Sequence, residues 1–139
     1  MWKELIDHHA RIDPFFKRSD DGHINFKSFL TELIVSNEAK VFIALENDKI
    51  LGFTIAKIEY YPPVYLLRRY GDIHDIFVAL NHRKKGIGKK LWQEAHKWFK
   101  SLGLKRAELS IVPTNPEASS FWQKQGFQEY MRKLFLKIE

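Results

Sequence analysis

Residues 76–91, Ile-Phe-Val-Ala-Leu-Asn-His-Arg-Lys-Lys-Gly-Ile-Gly-Lys-Lys-Leu, gather the residue types that hold a phosphate. An apolar run ends, a basic turn follows, and a helical pattern starts at Gly86 and Gly88. A helix start offers unpaired N–H groups and a partial positive charge. Glycine lets an anion come close to the backbone, and Arg83, Lys84, Lys85 and Lys89 add charge. A Walker loop is excluded, because Lys89-Lys90 follows Gly88 where a lysine and a magnesium-binding hydroxyl are needed. A dinucleotide fingerprint is excluded, because its third glycine would fall at Leu91. What remains is Arg-x-x-Gly-x-Gly at Arg83, Gly86 and Gly88, a site for a pyrophosphate.

Further along, Asn115-Pro116-Glu117-Ala118-Ser119-Ser120-Phe121-Trp122-Gln123-Lys124-Gln125-Gly126-Phe127 forms a second block. The first block resembles the acetyl-CoA signature of the Gcn5-related N-acetyltransferase family. The second is similar to that family's later motif, Asn-x-x-Ala-x-x-aromatic-aromatic-x-x-x-Gly-Phe. The resemblance runs from about Val41 to Phe127 and beyond. It implies an acyl-CoA N-acyltransferase fold: an α/β domain with a central mixed sheet, splayed parallel strands and flanking helices. It implies transfer of an acetyl group from acetyl-CoA to a primary amine, by direct attack in a ternary complex and without a metal. The acceptor would be a small amine or a peptide or protein amino group.

By the same resemblance, the backbone of Phe77 and Val78 pairs with the pantetheine arm as an added strand would. The backbone of Arg83, Lys84, Lys85, Gly86, Ile87, Gly88 and Lys89 holds the pyrophosphate. Asn115, Ser119 and Trp122 flank the pantetheine. The sequence departs from the family at Trp122, where many members carry a tyrosine that protonates the leaving thiolate. An indole N–H does not titrate. Tyr130 is the nearby candidate acid. The N-terminus departs too: the chain starts almost inside a helix, so the family's first strand is expected to be missing.

Acetyl transfer needs a base for the amine and a donor for the developing oxyanion, which the Val78 N–H is placed to supply. Asp75 is the first candidate base. Strand alternation sets Asp75 with Phe77 on one face and His74 with Ile76 on the other. His74 and Glu59 are further candidates, and Glu108 faces the cleft between the splayed strands. The tyrosines of the loop at Tyr60, Tyr61 and Tyr65 suggest an aromatic-lined acceptor pocket.

The elements that position these groups follow from periodicity. Residues 3–16 and Phe26 to Ile34 read as helices, the first weakened at Pro14 and the second capped by Asn25. Val41 to Leu45 and Ile50 to Tyr61 form a hairpin around Asn47-Asp48. A third strand spans Asp72 to Leu80. A helix carrying Ile87, Leu91, Ala95, Trp98, Phe99 and Leu102 ends at Gly103. Arg106 to Val112 is a strand, and Asn115-Pro116 caps a helix closed by Gly126. Phe127 to Ile138 is extended.

At 139 residues the chain reads as one domain over 1–139, with 45% apolar content and no stretch of the 18 or so apolar residues that span a membrane. A cytoplasmic protein is expected, with a homodimer among its possible states. The chain has no cysteine, so disulfides, thiol nucleophiles and an acyl-enzyme on sulfur are excluded. No zinc-type histidine pair and no Gly-x-Ser-x-Gly elbow occurs. The net charge of +6 permits a nucleic-acid module, but aromatics do not interleave with the lysines as base-stacking would need. A non-catalytic acyl-CoA-binding regulatory domain is the other alternative.

Overall fold

The computed structural model describes residues 1–12, 15 and 17–139. Two helices come first, α1 (Trp2–Ile12) and α2 (Gly22–Val35). Three strands follow, β1 (Ala39–Glu46), β2 (Lys49–Tyr60) and β3 (Arg69–Val78). A 3-10 turn at Leu80–His82 leads to α3 (Ile87–Ser101), then β4 (Ala107–Glu108) and α4 (Pro116–Lys124). The sheet has the order β1-β2-β3-β4, antiparallel up to β3 and parallel between β3 and β4. Helices flank it, giving the mixed α/β sheet that the motif order implies.

Local chemistry accounts for most of the boundaries. Asn47 and Asp48 take φ of 50° and 65°, the left-handed pair that a tight hairpin needs and that Asn and Asp tolerate. Asn115 caps α4: its Oδ1 accepts from the Ala118 N–H at 3.1 Å, with Pro116 at the first helical position. α3 and α4 each stop at a left-handed glycine, Gly103 and Gly126. Beyond them the N–H of Leu104 bonds back to Phe99 O and that of Phe127 to Trp122 O, closing orphan carbonyls.

β2 is buried without interruption from Leu51 to Ala56, because both sheet faces are covered. On one face α1 and α2 pack Leu5 and Leu33 against Phe53, Ile55 and Phe77. On the other, α3 and α4 pack Trp92, Ala95, Phe99 and Trp122 against Ala56 and Ile73. A methylene costs about 0.8 kcal/mol to leave in water, so these two clusters fix which side of each strand faces which helix pair. Among the described residues no helix is long and apolar enough to cross a membrane.

Four expectations change. α2 begins at Gly22 after Asp21, not at Asn25, since the N–H groups of Ile24 and Asn25 already bond to Asp21 O. The strand expected at Arg106 to Val112 pairs only at Ala107 and Glu108. Phe127 to Ile138 joins no sheet, and every residue from 128 on is exposed. Finally, β3 carries a bulge: Ile55 opposes Asp75 and Ala56 opposes Ile73, leaving His74 as the extra residue. His74 therefore lies 5.5 Å from the Phe29 ring of α2, on the α1/α2 side rather than with Ile76. Pro14 and Phe16, expected at the end of the first helix, lie outside the described residues.

Candidate active site

β3 and β4 start as parallel neighbours and then part. Their pairing covers Gly71–Ala107 and Asp72–Glu108, and β3 runs on six residues to Val78. At about 3.3 Å per residue, roughly 20 Å of β3 edge continues past the last paired position. Which backbone groups point into that gap follows from the register with β2. Ala79 N–H donates to Leu51 O, so Gly52 and Val78 face each other as a non-hydrogen-bonded pair. Val78 and Ile76 then turn their N–H groups away from β2, into the gap. Phe77 turns its own toward Phe53 of β2 and its ring toward the α1/α2 core.

At the mouth of the gap the chain makes the loop 83–88. Lys84 holds φ of 61° and Gly86 φ of 82°, two left-handed residues two positions apart. Such a sequence turns successive N–H groups toward one concavity. The first N–H of α3 to find an acceptor in its own helix is that of Lys90, bonded to Gly86 O at 3.1 Å. Those of Ile87, Gly88 and Lys89 are the open donors of a helix start. A methyl built on Gly86 meets nothing within 4 Å, so the space over that residue is free for an anion. Gly88 differs: its bare Cα faces Phe121 of α4, where a methyl would sit at an ordinary 3.4 Å. The residues present fit a pyrophosphate.

The Arg83 side chain does not lean over this loop. Its Nε donates to Val78 O at 2.9 Å and its guanidinium lies 5.3 Å from the Phe77 ring centroid. Arg83 thus clips the two ends of the turn together. The lysines at 84, 85, 89 and 90 are all exposed. Asn115 and Ser119 sit half-buried at the start of α4. Trp122 lies deeper: it is 5% exposed and packs edge-on against Trp92, Phe121 and Phe127 inside the α3/α4 core.

On the α1/α2 face, the bulge brings carboxylates into partly covered positions. Asp75, opposite buried Ile55, is pushed up to about 6, first by burial and then by Asp72, with His74 pulling it back. Asp72 is also pushed up to about 6 by burial and by Glu59, while Lys57 opposes the shift. His74 Nδ1 is 3.9 Å from Asp72, and Lys57 Nζ is 3.2 Å from Glu59. The hydroxyl of fully buried Thr54 donates to the Asp75 carbonyl at 2.8 Å, which ties the bulge to β2.

Glu108 is a junction. It accepts from the Tyr61 hydroxyl, from Arg106 Nε at 2.9 Å and from the Tyr130 hydroxyl at 2.7 Å. Tyr130 lies beneath the Arg106 guanidinium, and its hydroxyl is pushed up first by the bond to Glu108. Tyr61 stacks on Tyr70 with ring centroids 4.4 Å apart, and Tyr65 meets it edge-on. Asp72, His74, Asp75, Glu59, Tyr61, Tyr70 and Glu108 thus line one end of the α1/α2 face, while the phosphate loop closes the other.

Residues 2–127 match the acetyltransferase (GNAT) family. The chain belongs to that family. It is an acetyl-CoA-dependent N-acetyltransferase, and the open helix start and the splayed strands are compatible with that activity. An uncharacterized N-acetyltransferase of Bacillus subtilis, YhfO, is 27% identical over 117 residues, or 83% of this chain and 75% of that one. A crystallised variant of the Bacillus halodurans protein BH1408 shares the fold with a TM-score of 0.87 at 19% identity, covering 98% of this chain and 88% of that one. The aminoglycoside N-acetyltransferase AAC(6')-Iy, solved in complex with CoA, superposes with a TM-score of 0.74 at 23% identity over 98% and 90% of the two chains.

Two features of the candidate site escape the sequence. Thr54 reads as one polar residue in an apolar strand, and only the register shows that its hydroxyl holds the Asp75 carbonyl. Asp72 lies three residues from Asp75, which a regular strand would put on the opposite face. The bulge cancels that offset, and no residue type announces it.

Proposed function

We propose that residues 1–139 act as a single N-acetyltransferase domain that acetylates a cationic primary amine, with Asp75 as the base. The observation that carries this reading is the placement of Asp75. It shares a strand with the gap-facing Val78 N–H, lies three residues away, and is held near neutrality by burial. Acetyl-CoA supplies the thioester. The open N–H groups from Lys84 to Lys89 hold its pyrophosphate, with Gly86 giving room. Val78 pairs with the pantetheine and its N–H stabilises the carbonyl oxygen as that oxygen gains charge. Asn115 and Ser119 flank the arm, and Phe77 and Trp122 support it from the two cores.

An amine arrives as ammonium at neutral pH and must lose a proton before it attacks. Asp75 accepts that proton directly or through a water. Asp72 and Glu59 make the surroundings attractive to a cation, and the stacked pair Tyr61–Tyr70 offers it a π-face. Tyr130, the candidate acid, is held by Glu108 at the Asp72 end of β3, roughly 20 Å of strand from Val78 and out of reach of a thioester bound there. A CoA thiolate is a weak enough base to leave without it. The protein works in the cytoplasm, where acetyl-CoA is made and used, and associates as a homodimer.

Release of the CoA thiol, followed across a panel of small diamines, aminosugars and lysine-bearing or free-N-terminus peptides, tests the reading. Turnover with cationic small amines is expected, and it should disappear when the amine is blocked. Tight CoA binding with no transfer to any acceptor would overturn it in favour of a regulatory acyl-CoA-binding domain.

A further inference from the structure

The acceptor side of the site holds more negative charge than one ammonium needs. Strand register sets its layout. Ile55 opposes Asp75 and Lys57 opposes Asp72, with the bulge at His74 between them. Ile55 belongs to the α1/α2 core, and Lys57 Nζ lies 5.9 Å from the centre of the Phe29 ring of α2. Asp72 and Asp75 therefore share that face, two β2 positions apart, which is about 7 Å at the rise of a strand. Asp72 also pairs in parallel register with Glu108 of β4. Glu59 follows Lys57 two residues on, so both further carboxylates join the same face.

These carboxylates meet two permanent cations, and both cations are already engaged. Lys57 Nζ is 3.2 Å from Glu59, and Arg106 Nε is 2.9 Å from Glu108. Among the described residues, neither Asp72 nor Asp75 has a Lys or Arg in salt-bridge contact. The basic group that does approach Asp72 is His74, whose Nδ1 at 3.9 Å is too far for a hydrogen bond. The Asp72 side chain is only 23% exposed, and burial pushes it and Asp75 up to about 6. Both are still ionised at neutral pH, and a half-buried charge without a partner is costly. The reaction itself brings an amine to Asp75. One of the two carboxylates then has its cation, and the other does not.

We infer that the acceptor is an aliphatic diamine of four or five carbons, with Asp75 taking a proton from the reacting nitrogen and Asp72 holding the other nitrogen as an ammonium. An extended chain of that length, at about 1.25 Å per bond, sets its nitrogens about 6–7.5 Å apart, the spacing of the two carboxylates. A three-carbon chain falls short. Past Asp72 the same face carries Tyr70, stacked on Tyr61, which stands in the way of a longer one. An amino acid with a side-chain amine is disfavoured, because its carboxylate would lie beside Asp72 with Lys57 and Arg106 both engaged. Atoms balance as follows. The ammonium gives one proton to Asp75, and its nitrogen bonds to the acetyl carbon. The C–S bond breaks with its electron pair on sulfur, and a second proton leaves the nitrogen to give the CoA thiol. The inference rests on the acetyl-transfer reading with Asp75 as base; Asp72 decides which amine is used, not whether transfer occurs.

Release of the CoA thiol by the full chain tests this, with 1,4-diaminobutane and 1,5-diaminopentane set against n-butylamine and n-pentylamine. kcat/KM should favour each diamine over its monoamine by about tenfold or more, the worth of one charged hydrogen bond. 1,3-Diaminopropane and ornithine should fall well behind. In Asp72→Asn the diamine-to-monoamine ratio should drop to about one, mostly through KM, and Asp72→Glu should restore much of it. Calorimetric titration with CoA, giving the parent's affinity, shows that each variant is folded, and the parent's own chain-length series needs no variant. A ratio near one in the parent, or a preference that survives Asp72→Asn, would overturn the inference and leave the acetyl-transfer reading standing. Transfer to no amine at all would overturn both.

Discussion

The loop 83–88 follows β3, the carboxylate floor formed by Asp72 and Asp75 lies on β3, and the two are built from different materials. The loop is made of backbone: N–H groups at a helix start, two left-handed residues and a bare Cα at Gly86. Its donors are present whatever the neighbouring side chains do. The floor is made of side chains whose charge depends on their surroundings. Asp72 and Asp75 are both pushed up to about 6, chiefly because they are partly withdrawn from water. The loop can therefore be broken by changing backbone shape or by filling the space over it, whereas the floor can be broken by a single isosteric change or by a shift in pH.

The largest effect is expected from Asp75→Asn. Loss of a positioned base typically costs 10²–10⁴ in rate, so kcat should fall by about that factor while CoA affinity stays within about twofold. The parent's pH–rate profile should rise through an apparent value near 6, and the variant should lose that limb. Stability should move the other way. A carboxyl whose folded value is raised binds its proton more tightly in the folded state. Its stabilising contribution is present below about pH 4 and is lost as pH rises through about 6. At pH 7.5 the folded protein holds an ion it would rather not hold, so Asp75→Asn should raise Tm there, and the gain should shrink toward pH 4. A variant that is inactive and less stable at pH 7.5 would point to a structural carboxylate and away from a base.

Gly86→Val tests the loop in the same terms. A Cβ built on Gly86 meets nothing within 4 Å, so the new side chain starts into open space. The cost to folding is the left-handed backbone, about 1–2 kcal/mol. The cost to CoA should be larger, because the branched side chain fills the space where the pyrophosphate approaches. Calorimetric titration should show affinity reduced by about 100-fold, with kcat at saturating acetyl-CoA little changed. Unchanged affinity would remove Gly86 from the cradle. Together the two variants separate binding from chemistry: one acts on Kd, the other on kcat.

The same contrast explains what the amino-acid sequence makes legible. The loop can be read because its requirements are local. A basic turn between a strand and a helix, with glycines at fixed offsets, specifies it within sixteen residues, and the Asn115 cap and the Gly103 and Gly126 stops are equally local. The hairpin at Asn47-Asp48 is read for the same reason. The floor depends on a bulge at His74, and a bulge is set by how β2 and β3 agree over their whole length. Alternation alone puts His74 on the wrong side. Trp122 shows the limit of motif matching: its position in the block is clear, but whether its ring meets the cleft or the core depends on Trp92 and Phe127 from other parts of the chain. The last strand fails for a related reason. Residues 134–138 have a strand's pattern, but a pattern does not supply the edge that a strand must pair with.

The smallest effect on activity is expected at the Glu108 junction beside the floor. Tyr130→Phe removes the hydroxyl that donates to Glu108 and leaves the ring beneath Arg106. Tyr130 is 58% exposed, so its bond to Glu108 competes with water, and its loss should cost well under about 1 kcal/mol of stability. Tyr130 stands out of reach of the thioester, so kcat with acetyl-CoA should stay within about threefold of the parent. A deficit that narrows with an acyl donor whose thiol is more acidic would instead make Tyr130 the acid, because a better leaving group needs less help. A uniform loss across donors is expected, since Tyr130 acts by holding Glu108 in place. Glu108→Gln should then reproduce the loss, since both changes loosen the same junction of β4, Tyr61 and Tyr130 without touching the thioester.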